Sequence, residues 1–379
     1  MVDSNGRAVL ELLKLPGNDV CVDCSSKNPE FASYNLGVFL CARCASIHKT
    51  LGVHISKIKH LKLDGWEDSQ LERMRLTGNN ASKMKYEMRV PVSYKVPTPN
   101  CPQVLLKEWV RSKYEREEFR HPEALTYITG HMDGFLMKRG KESGKYHPRR
   151  FVLNEVNDTI KYYVKEKKEP KATLRISELN VVISPSKINH PHSLQLTFMR
   201  EGSTRHIYVY HEESQTIMNW YHAIRNAKLH RLQVAFPSAN DCELVKLLTR
   251  DFGREGWLWK TGPKNADAYR KRWFTLDYRK LMYHEEPLSA YPKGEIFLGH
   301  NSDGYTVRLG VPPGAKDQGF TFTLKTPQRW YTFSALSAPD RDQWIDEIQK
   351  VIDTPLTPQD HFTAAQLVRK RNAGIFGTR

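Results

Sequence analysis

CVDCSSKNPEFASYNLGVFLCARC, residues 21–44, carries four of the six cysteines of the 379-residue chain. Cys21 and Cys24 form one C-x2-C pair, Cys41 and Cys44 form a second, and sixteen residues separate the two. Each pair fits a tight knuckle that presents two sulfurs to one metal. Two knuckles complete a tetrahedral shell of four thiolates, with no position left open to a substrate. The spacing therefore points to one structural Zn2+ ion, in a reducing compartment where clustered cysteines signal metal rather than disulfides. Binding of this kind contributes folding free energy on the order of 10 kcal/mol. Cys101 and Cys242 stand apart from any neighbouring ligand and read as buried or inert.

Around this segment the pattern is helical. Residues 6–15 place Leu10, Leu12 and Leu13 on one side of a short helix that Gly17 stops. Residues 66–88 carry Trp66, Leu71, Met74 and Met84, and residues 103–119 carry Leu105, Leu106, Trp109, Val110 and Tyr114 at helical spacing. Between them, VPVSYKVPTPNCP reads as a proline-rich connector. The charge run RSKYEREEFR reads as a solvated helix face with i,i+4 pairs.

Beyond residue 130 short alternating strands appear, and then repeat. GFLMKRG is matched by GWLWKTG, PRRFVLNE by RKRWFTLD, and MNWYHAIRNAK by DQWIDEIQKVI. The intervals from Gly134 to Trp220 and from Gly256 to Trp344 are nearly equal. Two copies of this length mean tandem homologous domains, not a solenoid. The chain carries a net charge of +16. That excess favours anionic partners: nucleic acid, anionic lipid or phosphate groups. No apolar run approaches the roughly 18 residues of a membrane span, and the N-terminus shows no signal-peptide pattern. The expected location is therefore intracellular.

The residues flanking the cysteines include Phe31-Ala-Ser-Tyr-Asn-Leu-Gly37, His48-Lys49-Thr50-Leu51-Gly52-Val53-His54-Ile55-Ser56, Leu63-Asp64-Gly65-Trp66 and Gly78-Asn79. With the cysteines, this set resembles an Arf GTPase-activating (Arf-GAP) domain. That family typically has Trp where this chain has Phe31. It places a catalytic arginine five positions after the last zinc cysteine, where this chain has Lys49. An arginine finger spreads charge over the phosphoryl oxygens and contributes about 10³–10⁵ in rate. Lysine keeps the charge but not the planar fork. Lys49 is thus expected at the finger position with reduced or absent activity, leaving open whether another base such as Arg43 substitutes.

Each later repeat resembles a pleckstrin-homology (PH) domain, a seven-stranded bent sandwich closed by a C-terminal helix. The resemblance gives Trp220 and Trp344 a core-packing role. It also implies a phosphoinositide site at one open end of each sandwich. In the first repeat the site residues would be Lys138, Arg149, Tyr162 and Lys171, with His147 where the family often has another cation. In the second they would be Lys260, Arg270, Arg272, Tyr283 and Lys293. Strand alternation puts Arg270 and Arg272 on one face.

The fold class expected is multidomain α+β: a four-cysteine zinc-finger Arf-GAP module, mostly helical with a small sheet, followed by two PH-type β-sandwiches each capped by a C-terminal helix. The expected bounds are 5–125, 130–232 and 252–354, with a basic tail over 355–379. This is the layout of the centaurin-alpha group. The resemblance implies a regulator of Arf-family GTPases, the plasma-membrane class favoured, recruited by phosphatidylinositol 3,4,5-trisphosphate. Inositol tetrakisphosphate is the soluble counterpart of that ligand, and the implied location is cytoplasmic with peripheral recruitment to the plasma membrane, the short basic RKR in the tail leaving nuclear import open. A second reading, favoured by Lys49, is a catalytically silent adaptor that senses phosphoinositide. A nucleic-acid-binding zinc protein is supported only by charge and cysteine spacing, and the paired PH signatures account for the basicity better.

Overall fold

The computed structural model describes residues 3–164, 169–200, 202–262, 267–358, 360–361 and 364–365. The N-terminal part comprises α1 (Ser4–Leu13), β1 (Phe31–Ser33), β2 (Val38–Leu40), α2 (Ala42–Lys49), β3 (Ile58–His60), α3 (Asp68–Leu76), α4 (Gly78–Tyr86) and α5 (Gln103–Tyr114). Its three strands form an antiparallel sheet in the order β2-β1-β3. Asp3 caps α1 by accepting from the Gly6 N–H at 2.6 Å, which satisfies one of the free amides of the first turn. Val9 of α1 packs with Phe39, Leu61, Trp66, Leu71 and Met74 in a small core.

The first sandwich contains β4 (His131–Arg139), β5 (Tyr146–Asn154), β6 (Thr159–Tyr163), β7 (Ala172–Arg175), β8 (Asn180–Ile183), the short α6 (Pro185–Ile188), β9 (Ser193–Arg200), β10 (Ser203–Tyr210) and the closing α7 (Ser214–Ala235). A connecting α8 (Asp241–Leu248) follows. The second sandwich contains β11 (Arg254–Lys260), β12 (Arg270–Asp277), β13 (Lys280–His284), β14 (Gly294–Phe297), β15 (Thr306–Leu309), β16 (Phe320–Lys325), β17 (Trp330–Ala335) and α9 (Ala338–Asp353). The strand orders, β7-β6-β5-β4-β10-β9-β8 and β14-β13-β12-β11-β17-β16-β15, are identical. In both copies the first and last strands pair over only two residues: Lys138 with Val209 and Met137 with Tyr210, then Lys260 with Phe333 and Trp259 with Ser334. Each sheet therefore splays open at that seam. Trp220 and Trp344 are buried. A Cβ at Gly134 would meet Trp220 at 3.8 Å, and one at Gly256 would meet Trp344 at 3.6 Å. The repeated glycines thus let the first strand lie flat against the indole.

Several expectations change. The connector over residues 90–102 is a packed seam. Tyr94 is buried, stacks on His222 of α7 at 3.8 Å and meets Phe119 edge-on. The Ser93 hydroxyl donates to Asn226, and Arg225 Nε donates to the Ser93 carbonyl at 2.7 Å. One continuous apolar core consequently runs from the cysteines through α5 into the first sandwich, while the second sandwich has its own. The run RSKYEREEFR does contain the i,i+4 pair Arg111–Glu115. It is otherwise no solvated face: α5 ends at Tyr114, and Lys113 and Phe119 are wholly buried. The pattern over 66–88 breaks into two helices at Gly78, whose φ is +65°. Met84 points to solvent rather than into the core, because Asn79, Ser82 and Tyr86 carry the buried face of α4. The start of the basic tail is anchored: Asp360 is buried and accepts from Arg279 Nε at 3.2 Å. The remainder, at 362–363 and 366–379, lies outside the described residues.

Candidate functional site

The sulfurs of Cys21, Cys24, Cys41 and Cys44 all lie within 4.8 Å of one another, and Cys24 Sγ approaches Cys41 Sγ at 3.6 Å. Sulfurs at about 2.3 Å from one tetrahedral zinc would be separated by about 3.8 Å, so the donor set fits that ion. Among the described residues no other cluster of three or more metal-ligating side chains occurs. The first knuckle turns on Ser25, whose φ is +59° and whose N–H donates to the Cys21 carbonyl. The second opens α2, with Cys41 as its N-cap accepting from the Cys44 N–H at 3.4 Å.

Between the two cysteines of the first knuckle sits Asp23, fully buried, at the centre of a polar network. Its Oδ1 accepts from Lys113 Nζ at 2.8 Å and the Tyr114 hydroxyl at 3.2 Å, while its Oδ2 lies 3.0 Å from His48 Nε2. His48 Nδ1 continues to Ser56 Oγ at 2.8 Å, and Ser56 to Ser33 at 2.8 Å. Burial acts to raise the Asp23 carboxyl, but Lys113 and His48 outweigh it and hold the group well below the usual carboxylate range. Burial likewise opposes the charge of Lys113, and Asp23 with Glu87 carries its pKa well above the ordinary value. The network ties the first knuckle to α2 and α5, and so fixes the helix that ends in Lys49.

Lys49 is exposed on the last turn of α2, with Nζ 5.7 Å from the centre of the Phe31 ring. Phe31 itself stands edge-on to His60. Arg43 is committed elsewhere: Nε donates to Gln103 at 3.0 Å, Nη1 to Pro99 O at 2.9 Å and Nη2 to Cys101 O at 2.6 Å. Those three bonds clamp α2 to the proline-rich seam and leave the guanidinium unavailable as a finger. Cys101 is buried and Cys242 exposed.

In the first sandwich, Lys138 is the penultimate residue of β4, with its ammonium 5.1 Å from the centre of the Tyr162 ring. Burial, with Arg205 and Arg149 nearby, pushes its pKa down to about 8. The second sandwich repeats this. Lys260 Nζ lies 4.9 Å from the Tyr283 ring centre. Burial, with Arg329 and Arg272 the largest charge contributions and Arg270 a smaller one, pushes its pKa down to about 8 against the opposing pull of Asp267. The strand register pairs Lys260 with Arg270 and Lys138 with His147. Lys171 and Lys293 occupy equivalent places, each donating its backbone N–H to the carbonyl of the facing tyrosine. Lys171 is exposed, whereas Lys293 is paired with Glu285 at 3.0 Å. Opposite Tyr283 stands Gly294, where a Cβ would fall 2.3 Å from the phenol oxygen; opposite Tyr162 stands Ala172. The two tyrosines are therefore packed differently, and Tyr162 is the more deeply buried.

Arg205 and Arg329 escaped the sequence reading. Arg205 lies near the start of β10 and Arg329 immediately before β17, each four residues before the partner of Lys138 or Lys260, at Val209 and Phe333. Aligning TRHIYVY with QRWYTFS across the repeat brings the two arginines together, which is the signal that finds them. Neither Nε has a hydrogen-bond partner among the described residues.

A helical four-cysteine module joined to two such sandwiches defines a class, and comparison with known proteins places the chain within it. The family model for "putative GTPase activating protein for Arf" matches residues 6–123, and the PH domain model matches residues 130–229 and 252–353. The rat protein named Arf-GAP with dual PH domain-containing protein 2 is 41% identical over 363 residues, 94% of this chain and 96% of its own. Its human counterpart is 39% identical over 370 residues, 96% of this chain and 97% of its own. A solved structure of a putative GTPase-activating protein for ADP ribosylation factor from Cryptosporidium parvum shares 33% identity over 22% of this chain and 67% of its own, with a TM-score of 0.22. The chain belongs to the Arf-GAP proteins with dual PH domains.

Proposed function

We propose that this protein is a regulator of Arf-family GTPases that phosphatidylinositol 3,4,5-trisphosphate recruits to the plasma membrane. The observation that carries the reading is the same in both sandwiches: a half-buried lysine is crowded by arginines at the open end of the fold, and its charge is made costly there. Such a group is favoured by an arriving polyanion. Lys138, Arg149 and Arg205, and Lys260, Arg270, Arg272 and Arg329, would cradle the headgroup phosphates. Arginine supplies paired donors and lysine a point charge. Two modest sites on one chain gain avidity at a surface. Zinc held by the four cysteines would contribute folding energy and no step of the chemistry. Sedimentation of the full chain with vesicles containing the trisphosphate lipid tests this. Arg149→Ala with Arg272→Ala should lower binding by about a hundredfold or more; undiminished binding would overturn the reading.

A second reading concerns the GTPase partner. Lys49 stands at the finger position with its ammonium near the Phe31 ring face, so we infer a chain that engages the GTPase yet accelerates hydrolysis weakly. Single-turnover GTP hydrolysis on the same vesicles decides between weak and full activation. Lys49→Arg should raise the rate by about tenfold or more, since a bidentate fork replaces a point charge. Equal, high rates in both would refute the inference.

A further inference from the structure

The first sandwich meets the second along a loop that neither repeat shows on its own. Because β10 pairs with β4 only at Val209 and Tyr210, the backbone edge of residues 203–208 is free on that side. Residues 285–293, which join β13 to β14 in the second sandwich, close it. The His206 N–H donates to Ala290 O at 2.8 Å. The Tyr208 hydroxyl lies 3.2 Å from Pro287 O and 3.1 Å from Ser289 O. Arg139 Nη1 donates to Leu288 O at 3.0 Å. These contacts set Tyr291 against the pocket of the first sandwich. Its ring centre lies 5.7 Å from the Arg205 guanidinium and 5.3 Å from Lys141 Nζ. Arg205 is held between that ring and Phe198, only 8% exposed, with Nε lacking an acceptor among the described residues.

From this arrangement we infer that the headgroup pocket of the first PH domain is a composite site: Tyr291, from the second PH domain, positions Arg205 and Lys141 for the phosphates of a polyphosphorylated inositol. The inference rests on the proposed headgroup reading and deepens it. An arginine buried beside other cations is repelled by them, and two aromatic faces are what keep it in place without neutralising its charge. A carboxylate there would hold Arg205 as well, but would compete with the incoming phosphate. The same loop ends in Lys293, a candidate residue of the second pocket, so one strap joins the two sites.

The test uses the full chain and inositol 1,3,4,5-tetrakisphosphate, titrated calorimetrically. In an Arg272→Ala background only the first site reports. There, Tyr291→Ala should weaken binding by about five- to tenfold and Tyr291→Phe should restore it to within about twofold, because the ring and not the hydroxyl is required. In an Arg149→Ala background only the second site reports, and Tyr291→Ala should change binding by less than about twofold. Unchanged affinity in the first background, equal losses in both, or failure of phenylalanine to rescue would each overturn the inference. Absence of any binding by the wild-type chain would instead overturn the underlying headgroup reading. Repeating the series on vesicles with the trisphosphate lipid should give the same ranking; a loss confined to vesicles would move Tyr291 from the headgroup to the bilayer and refute the composite site.

Discussion

Lys113 in the cysteine module is sealed from water and Lys138 in the first PH domain is half-buried, and their surroundings are opposite. Lys113 is sealed between two carboxylates, Asp23 and Glu87, each at 2.8 Å, and its charge is reinforced. Lys138 has arginines for neighbours, and its pKa falls to about 8. The first is a cation used for structure; the second is a cation kept short of counter-charge. Perturbation alone does not make the distinction. Lys228 of α7 is also pushed down to about 8, chiefly by burial with Arg250 and Arg225 nearby, but it is buried and its ammonium donates to the Leu179 carbonyl at 2.6 Å, whereas Lys138 and Lys260 are only half-buried. What separates the lysines proposed to bind from this one is their half-exposed place at an open end of the fold.

The largest effect should come from breaking the structural side of this comparison. Removing zinc with a chelator, or Cys24→Ser, should cost on the order of 10 kcal/mol. Because the module shares its core with the first PH domain, both should unfold together while the second persists, giving two separate transitions in calorimetry. Next, Asp23→Ala leaves the buried Lys113 with Glu87 alone of its two carboxylates and takes the shared partner from His48 and Tyr114, and should lower the stability of the same unit by about 2–4 kcal/mol in urea unfolding. The matching change on the binding side, Lys138→Met, should do the reverse. It relieves a costly charge, so stability should rise by about 1 kcal/mol after solvent screening, while tetrakisphosphate binding at the first site falls by about tenfold or more. Equal destabilisation by Asp23→Ala and Lys138→Met would erase the comparison.

The pH dependence sharpens it further. Lys138 and Lys260 titrate near 8 in the folded, unliganded chain, against about 10.4 when unfolded. Between those values the unfolded chain binds more protons, so the stability contribution of these lysines rises with pH across that window. Headgroup affinity moves the other way. It is full below about pH 7.5 and should fall about tenfold per site by pH 9, where most of each lysine is neutral before binding.

The fold was largely legible because its signals are local. Four cysteines at metal spacing, and a glycine-to-tryptophan interval used twice, need no knowledge of the tertiary structure. The cations proposed for the site come from equally local signals: Lys138 with Arg149, and Lys260 with Arg272, stand on adjacent strands of each sheet. The seams were not legible. VPVSYKVPTPNCP has the composition of a linker, and only the stacking of Tyr94 on His222 shows it to be core. RSKYEREEFR has the charge pattern of a surface, and only Asp23, ninety positions away, reveals why Lys113 lies inside. Arg205 and Arg329 were overlooked because they join the pockets from the far end of each sandwich. Tyr291 belongs to a different domain from the pocket it faces, so no reading of one repeat could supply it.

The central claim is that the two PH pockets hold lysines whose charge is costly until an anion arrives. Calorimetric titration with inositol 1,3,4,5-tetrakisphosphate at pH 8.5, run in two buffers of different ionisation enthalpy, measures the protons exchanged on binding. Net uptake of a substantial fraction of a proton per site is expected, reduced by about half in Lys138→Met. Binding with no proton uptake, or with net release, would contradict it.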